Sequence, residues 1–285
     1  MILIDYSAIC MAAFFARGSG ADEGILRHFI LNSIRMNNVK YREKYGQMII
    51  ACDDYSWRKN YYSNYKANRK KGREKSDIDW PSVFEIFSTI REEIEEHMPY
   101  KVIKVNNAEA DDVIGALVKN TQEFGKDEPV MIVSSDKDFV QLHKYKNVDQ
   151  YSPLTKKFIV HEDPIQYLYE HIFKGDSGDG VPNVLSDDDT FVDEDKRQSP
   201  LSKKKITLWL ENLNDLESVM KTNEYRNYQR NRKMIDLDKM PEEVYNTIIE
   251  NYESQPKKTN MKILNYLITR RCNQLVECTG DFKNG

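Results

Sequence analysis

Four short apolar runs constrain what this chain can become. Residues 1–4 (MILI), 48–52 (MIIAC), 101–105 (KVIKV) and 129–134 (PVMIVS) are rich in Val and Ile, and each stops at a polar cluster, as strands do. Between them apolar residues recur at helical spacing: Leu26, Phe29, Ile30, Ile34 and Val39 within 24–44, Val83, Phe84, Phe87, Ile90 and Ile94 within 81–97, and Val113, Ile114, Leu117 and Val118 within 108–124. Strands alternating with helices of this length predict an α/β domain, a mostly parallel sheet with helices on both faces.

From about Asp163 onward strand signals thin out. Helical patterns take over at 166–173, 202–211, 223–235, 241–252 and 260–271, with a loop-rich stretch at 175–200. The chain therefore reads as an α/β domain over 1–173, with a basic segment at 54–80, followed by a smaller helical domain over 174–285. No apolar run reaches the roughly 18 residues of a membrane span. Residues 1–5 (MILID) lack the basic start and apolar core of a signal peptide. The expectation is a cytoplasmic monomer without membrane contact.

The four cysteines, Cys10, Cys52, Cys272 and Cys278, form no Cys-x-x-Cys pair, and the five histidines are scattered without ligand spacing. A metal would have to be held by oxygen. The net charge of −4 argues against a nucleic-acid enzyme only until its distribution is considered. Six acids fall within 187–195, and without them the balance is +2. The surface is dipolar rather than acidic.

The acids fall where a parallel sheet concentrates its chemistry. Asp5 ends the first strand, Asp53 and Asp54 follow the second, Glu109, Asp111 and Asp112 follow the third and open a helix, and Asp136 and Asp138 follow the fourth. Ligands of such sheets bind outside the carboxyl ends of the strands. Any one of these groups alone would serve as a cap or a turn former. Four of them at four consecutive strand ends repel one another unless a cation intervenes, and clustered carboxylates select a hard ion, magnesium or manganese. Paired hard ions suit phosphodiester hydrolysis, because they activate water and clamp the phosphate. A haloacid-dehalogenase phosphatase would need a second Asp two positions after Asp5, where this chain has Ser7.

Residues 57–75 (WRKNYYSNYKANRKKGREK) hold eight bases and one acid. As a helix, this stretch would bring Arg58, Tyr62, Lys66, Arg69 and Arg73 onto one face, interleaved with Trp57, Tyr61 and Tyr65. Bases neutralise phosphates and aromatics stack on unpaired bases, so a strand-gripping face is expected beside the acids.

Together these residues resemble the 5′-nuclease (flap endonuclease) family, most closely its T-even phage ribonuclease H branch. The resemblance rests on LIDYS at 3–7, Asp53, YKANR at 65–69, EADD at 109–112, SSDKDF at 134–139, QLHKY at 141–145 and KGDSGD at 174–179. It implies two magnesium ions, with manganese as a substitute. Asp5, Asp53, Glu109, Asp111, Asp112, Asp136 and Asp138 would be their direct or water-mediated ligands, and Asp176 and Asp179 the pair at the second ion. Lys66 and Arg69 would contact the scissile phosphate, beside Asp136, with Arg58, Tyr62, Tyr65 and Arg73 on the strand. The implied activities are 5′→3′ exonuclease, flap endonuclease and RNA-primer removal on RNA·DNA hybrid, 5′-flap and nicked duplex DNA, alongside a sliding clamp and a single-strand DNA-binding protein.

One departure stands out. The family's glycine-rich hairpin after this motif is missing, and the chain runs from GDSGDGVPNV into SDDDTFVDED, expected to be a solvated loop. Duplex grip would then fall to Lys203, Lys204 and Lys205. A PIN-type endoribonuclease would end near Phe173, and a non-catalytic flap-binding subunit would have lost acids that this chain keeps.

Overall fold

The computed structural model describes residues 1–18 and 22–284. Six strands make one sheet in the order β3-β2-β1-β4-β5-β6, comprising β1 (Ile2–Asp5), β2 (Met48–Ala51), β3 (Lys101–Ile103), β4 (Val130–Val133), β5 (Val148–Ser152) and β6 (Lys157–Ile159). The first five are parallel and β6 is antiparallel. β1, β2 and β4 are buried at every residue, as continuous apolar runs in a covered sheet should be. The α/β frame expected from the runs is the frame observed.

The sequence patterns overlook several elements, among them β5, β6 and the helix that follows β1. β5 (VDQYS) alternates buried and half-buried residues and β6 (KFI) is an edge strand, so neither presents a continuous run. The helix α1 (Tyr6–Arg17) follows β1 without a loop, because Asp5 serves as its N-cap and accepts from the Ala8 N–H at 3.0 Å.

By internal contacts the chain forms two compact units. The sheet unit comprises Met1–Tyr55, Ile78–Val160 and the segment from Glu242 onward. Its helices are α1, α2 (Glu23–Tyr45), α4 (Trp80–His97), α5 (Ala110–Gln122), α10 (Glu242–Ser254), α11 (Ile263–Thr269) and α12 (Asn273–Val276). The helical unit comprises Ser56–Asp77 and His161–Pro241, with α3 (Ala67–Glu74), α6 (Pro164–Lys174), α7 (Lys203–Glu211), α8 (Leu216–Val219) and α9 (Thr222–Ile235). A linear split at Lys174 groups residues differently. The C-terminal helices complete the sheet unit, and the basic segment packs within the helical one.

α11 packs Ile263, Tyr266 and Leu267 into the apolar core of the sheet unit and also joins a buried charge cluster. Arg27 of α2 donates from Nε and Nη2 to both oxygens of Glu93 on α4, at 2.6 and 3.0 Å. Tyr266 of α11 donates its hydroxyl to the same carboxylate at 2.8 Å, and Arg270 approaches it at 2.9 Å. Breaking such a pair strands one charge, whereas removing both partners does not. We therefore expect Arg27→Met to cost about 3–5 kcal/mol in urea unfolding, and Arg27→Met with Glu93→Leu to cost clearly less. Equal losses in the single and double variants would contradict this account.

Candidate metal centre and nucleic-acid interface

Parallel pairing puts the C-terminal ends of β1, β2, β3 and β4 at one edge of the sheet. Asp5 is buried there, accepting from the Ala8 N–H on one oxygen and from the Ser134 hydroxyl on the other at 2.9 Å. The same Ser134 oxygen accepts from the Asp136 N–H at 3.1 Å, so one hydroxyl ties the end of β1 to the loop after β4. Asp136 in turn accepts from the Asp138 N–H at 2.9 Å. Gln150 of β5 donates to the Ser134 and Asp136 carbonyls, at 3.0 and 2.6 Å, and braces that loop.

Asp53 lies two residues beyond β2 and is exposed. One of its oxygens accepts the Ser7 hydroxyl and the other accepts the Ala110 N–H at 2.8 Å. The second bond pins the first turn of α5 against the end of β2, where the positive end of the helix dipole favours negative charge. That turn carries Glu109, Asp111 and Asp112, with the Glu109 N–H donating to Asp112 at 3.0 Å. The acids after β1, β2 and β4 and those opening α5 are thus linked by hydrogen bonds at one edge. Ser7, Ser134 and Gln150 are positioning groups that carboxylate patterning does not reveal.

The cluster is electrostatically strained. Burial, with Asp53 and Asp136 nearby, pushes the Asp5 carboxyl from an ordinary value of 3.8 to about 6. Asp54 differs. Burial pushes its carboxyl up, but Lys104 and the Tyr55 N–H outweigh this and hold it below the usual range. The carboxylates and hydroxyls gathered at this edge offer oxygen ligands, so the set fits a hard divalent cation and would be relieved by one.

Asp176 and Asp179 lie in the helical unit. α6 ends at Gly175, whose φ is +71° and where a Cβ would come within 2.4 Å of the Val181 carbonyl, so only glycine fits. The chain then doubles back, with Asp176 paired to Val181 and its carboxylate accepting from the Gly178 and Asp179 N–H groups at 2.7 and 3.1 Å. Burial raises the Asp176 carboxyl, yet His171 and these backbone donors hold it low. Asp179 receives the Tyr65 hydroxyl at 2.8 Å, a close Arg69 ion pair, and Lys66 at 3.5 Å. Two cations and a phenol converge on one carboxylate.

The basic segment departs from the expected single helix. It is a 3₁₀ turn (Trp57–Asn60), an irregular stretch, and then α3, which begins after Lys66 in a left-handed conformation with φ 58°. The shared face therefore does not form. Arg58 is only 2% exposed and donates to the Met234 carbonyl at 2.8 Å. Tyr62 is buried and donates to the Gly180 carbonyl at 3.1 Å and to the Asp188 carbonyl, and Tyr65 is buried against Asp179. These three are architecture rather than a strand-gripping surface, because folding the segment back onto α9 and the 175–188 loop consumes their polar atoms. Arg69 and Arg73 are exposed. Lys203 and Lys204 project from the first turn of α7, and Lys205 donates to Glu224 at 2.6 Å.

The acid run is also not merely solvated. Asp188 receives Arg226 at 2.8 and 3.0 Å and a close Arg230 pair, and Lys196 bridges Asp187 and Asp189. The loop neutralises bases of its own unit.

The raised Asp5 carboxyl gives a signed prediction. Its folded value near 6 exceeds the ordinary 3.8, so the stability it contributes is present at pH 4 and below and lost as pH rises through about 6. In EDTA, Asp5→Asn should therefore be more stable than the unsubstituted protein at pH 8 by about 1–3 kcal/mol, with the gap closing near pH 4. A gap that does not change with pH in thermal unfolding would refute the strained cluster.

Comparison with known proteins agrees with this architecture. Residues 1–170 match the family model of the 5′-3′ exonuclease N-terminal resolvase-like domain, and residues 164–282 match that of the T4 RNase H C-terminal region. Ribonuclease H of Enterobacteria phage T4 is 32% identical, over 98% of this chain and 95% of that protein. DNA polymerase I of Streptococcus pneumoniae is 26% identical over 65% of this chain but only 22% of its own length. Among solved structures, phage T5 5′-exonuclease with divalent metal ions (zinc) bound superposes with TM-score 0.65 at 16% identity, covering 89% of this chain and 98% of that one. The T5 flap endonuclease in a pseudo-enzyme-product complex with DNA and metal ions gives TM-score 0.64 at 15% identity, covering 89% and 99%. With both family models matched in order and a relative of this identity aligned nearly end to end, the chain belongs to the 5′-3′ exonuclease family.

Proposed function

We propose that this chain is a divalent-metal-dependent 5′→3′ exonuclease and flap endonuclease with ribonuclease H activity. Its role would be to remove RNA primers and adjacent DNA from 5′ ends during lagging-strand replication. The observation that carries the reading is the hydrogen-bonded convergence of Asp5, Asp53, Asp136 and the α5 first turn at one sheet edge. Its substrates would be RNA·DNA hybrids, 5′ flaps and nicked duplexes, and its partners a sliding clamp and a single-strand DNA-binding protein.

Asp5, Asp53, Glu109, Asp111, Asp112, Asp136 and Asp138 would hold magnesium, with manganese as a substitute, and Asp176 and Asp179 would serve a second ion. Bound ions would supply an activated water near neutral pH and charge neutralisation on the phosphodiester. The protein's own groups do the positioning. Ser7 and the Ala110 N–H orient the Asp53 carboxylate, and Ser134 orients Asp5. Lys66 and Arg69 would steady the scissile phosphate, exchanging an Asp179 oxygen for a phosphate oxygen.

On 5′-labelled hybrid, duplex and flap substrates, cleavage should require magnesium and stop in EDTA. Asp136→Asn should slow it at least about a hundredfold while leaving substrate binding intact. Lys66→Ala should lower both cleavage and affinity. Magnesium-independent cleavage, or an undiminished rate in Asp136→Asn, would overturn the reading.

A further inference from the structure

The helical unit holds an aromatic that the folded-back basic segment leaves outside. Tyr61 is 58% exposed, while its neighbours Trp57, Tyr62 and Tyr65 are buried. It is not loose. Trp57 meets its ring edge-on, with centroids 5.7 Å apart and planes at 82°. Lys233 of α9 sets its ammonium 3.3 Å from the ring centroid. Behind Trp57 the Arg58 guanidinium lies 4.7 Å from the indole centroid, and Arg58 is tied to the carbonyl of Met234, the residue after Lys233. Guanidinium, indole, phenol and ammonium thus form one ladder anchored on α9.

With Lys233 and Trp57 both in contact, Tyr61 still keeps 58% of its surface exposed. An exposed aromatic ring held beside a cation has a natural ligand in this enzyme class. The ring stacks an unpaired base, and the lysine takes the adjoining phosphate. The rigidity matters, because a preorganised ring loses little conformational freedom on stacking.

Resting on the nuclease reading above, we propose that Tyr61 and Lys233 form a stacking platform for one unpaired nucleotide of the substrate strand. The platform takes DNA and RNA alike, since every base has a π-face and the phosphate is common to both. Of Trp57, Tyr61, Tyr62 and Tyr65, the aromatics interleaved with bases in this segment, Tyr61 is the exposed one.

The test uses the full chain in EDTA with fluorescein-labelled oligo-dT and oligo-U, titrated at several salt concentrations. Tyr61→Ala should weaken binding about tenfold on both strands without altering the salt slope, and Tyr61→Phe should retain affinity. Lys233→Ala should reduce the magnitude of the salt slope by about one. A 2-aminopurine scanned along either strand should be quenched at one position by the unsubstituted protein and by Tyr61→Phe, but not by Tyr61→Ala. Unchanged affinity and quenching in Tyr61→Ala, or no quenched position with the unsubstituted protein, overturns the platform. Magnesium-dependent cleavage measured in parallel separates the two readings. An unsubstituted protein that cuts while Tyr61→Ala binds as well as it does sinks the platform alone, whereas one that neither cuts nor binds sinks the nuclease assignment.

Discussion

Gathering carboxylates at one sheet edge costs folding free energy, and the sheet unit is organised to bear that cost. The strands that carry the acids, β1, β2 and β4, are the most deeply buried elements of the sheet. Their apolar burial, at about 25 cal/mol per Å², provides stabilisation that the edge can partly spend. Asp5, Asp53 and Asp136 are placed by hydrogen bonds with neutral groups, Ser7, Ser134 and backbone N–H groups. Neutral donors fix geometry without cancelling charge, which keeps the edge attractive to a cation. Lys104 engages Asp54, whose carboxyl is drawn below the usual range.

The helical unit is rich in ion pairs. There acids and bases are matched, Asp179 with Lys66 and Arg69, Asp188 with Arg226 and Arg230, and Lys196 with Asp187 and Asp189. Pairing orders loops that have little apolar surface of their own. The run at 187–195 is held by electrostatics, through Arg226, Arg230 and Lys196.

Much of the frame was legible because burial writes itself into periodicity. The four apolar runs are four of the six strands, and the acids at their ends lie at one edge because parallel pairing leaves no other place for them. Strands β5 and β6 escaped because Asp149, Gln150 and Lys157 interrupt any apolar run. The basic segment misled for a different reason. Helical spacing of Arg58, Tyr62 and Lys66 is real in sequence, but Lys66 adopts a left-handed backbone, and the tertiary contacts of Arg58 with α9 override local propensity. Ser134 lay within a motif already recognised, and only coordinates reveal that its hydroxyl joins Asp5 to Asp136.

The interleaving of the two units along the chain has a consequence for how the molecule is made. Arg58 meets the carbonyl of a residue 176 positions later, and Glu93 meets Tyr266 across 173. On the ribosome the basic segment leaves the exit tunnel long before the helix that will shelter it, and the sheet waits similarly for α11. Such non-local closure slows folding and prolongs the exposure of unsheltered apolar surface. Nascent chains paused in the region of residues 160–240 should thus be the species most dependent on chaperones, carrying eight strongly basic side chains between Trp57 and Lys75 with no finished unit to receive them.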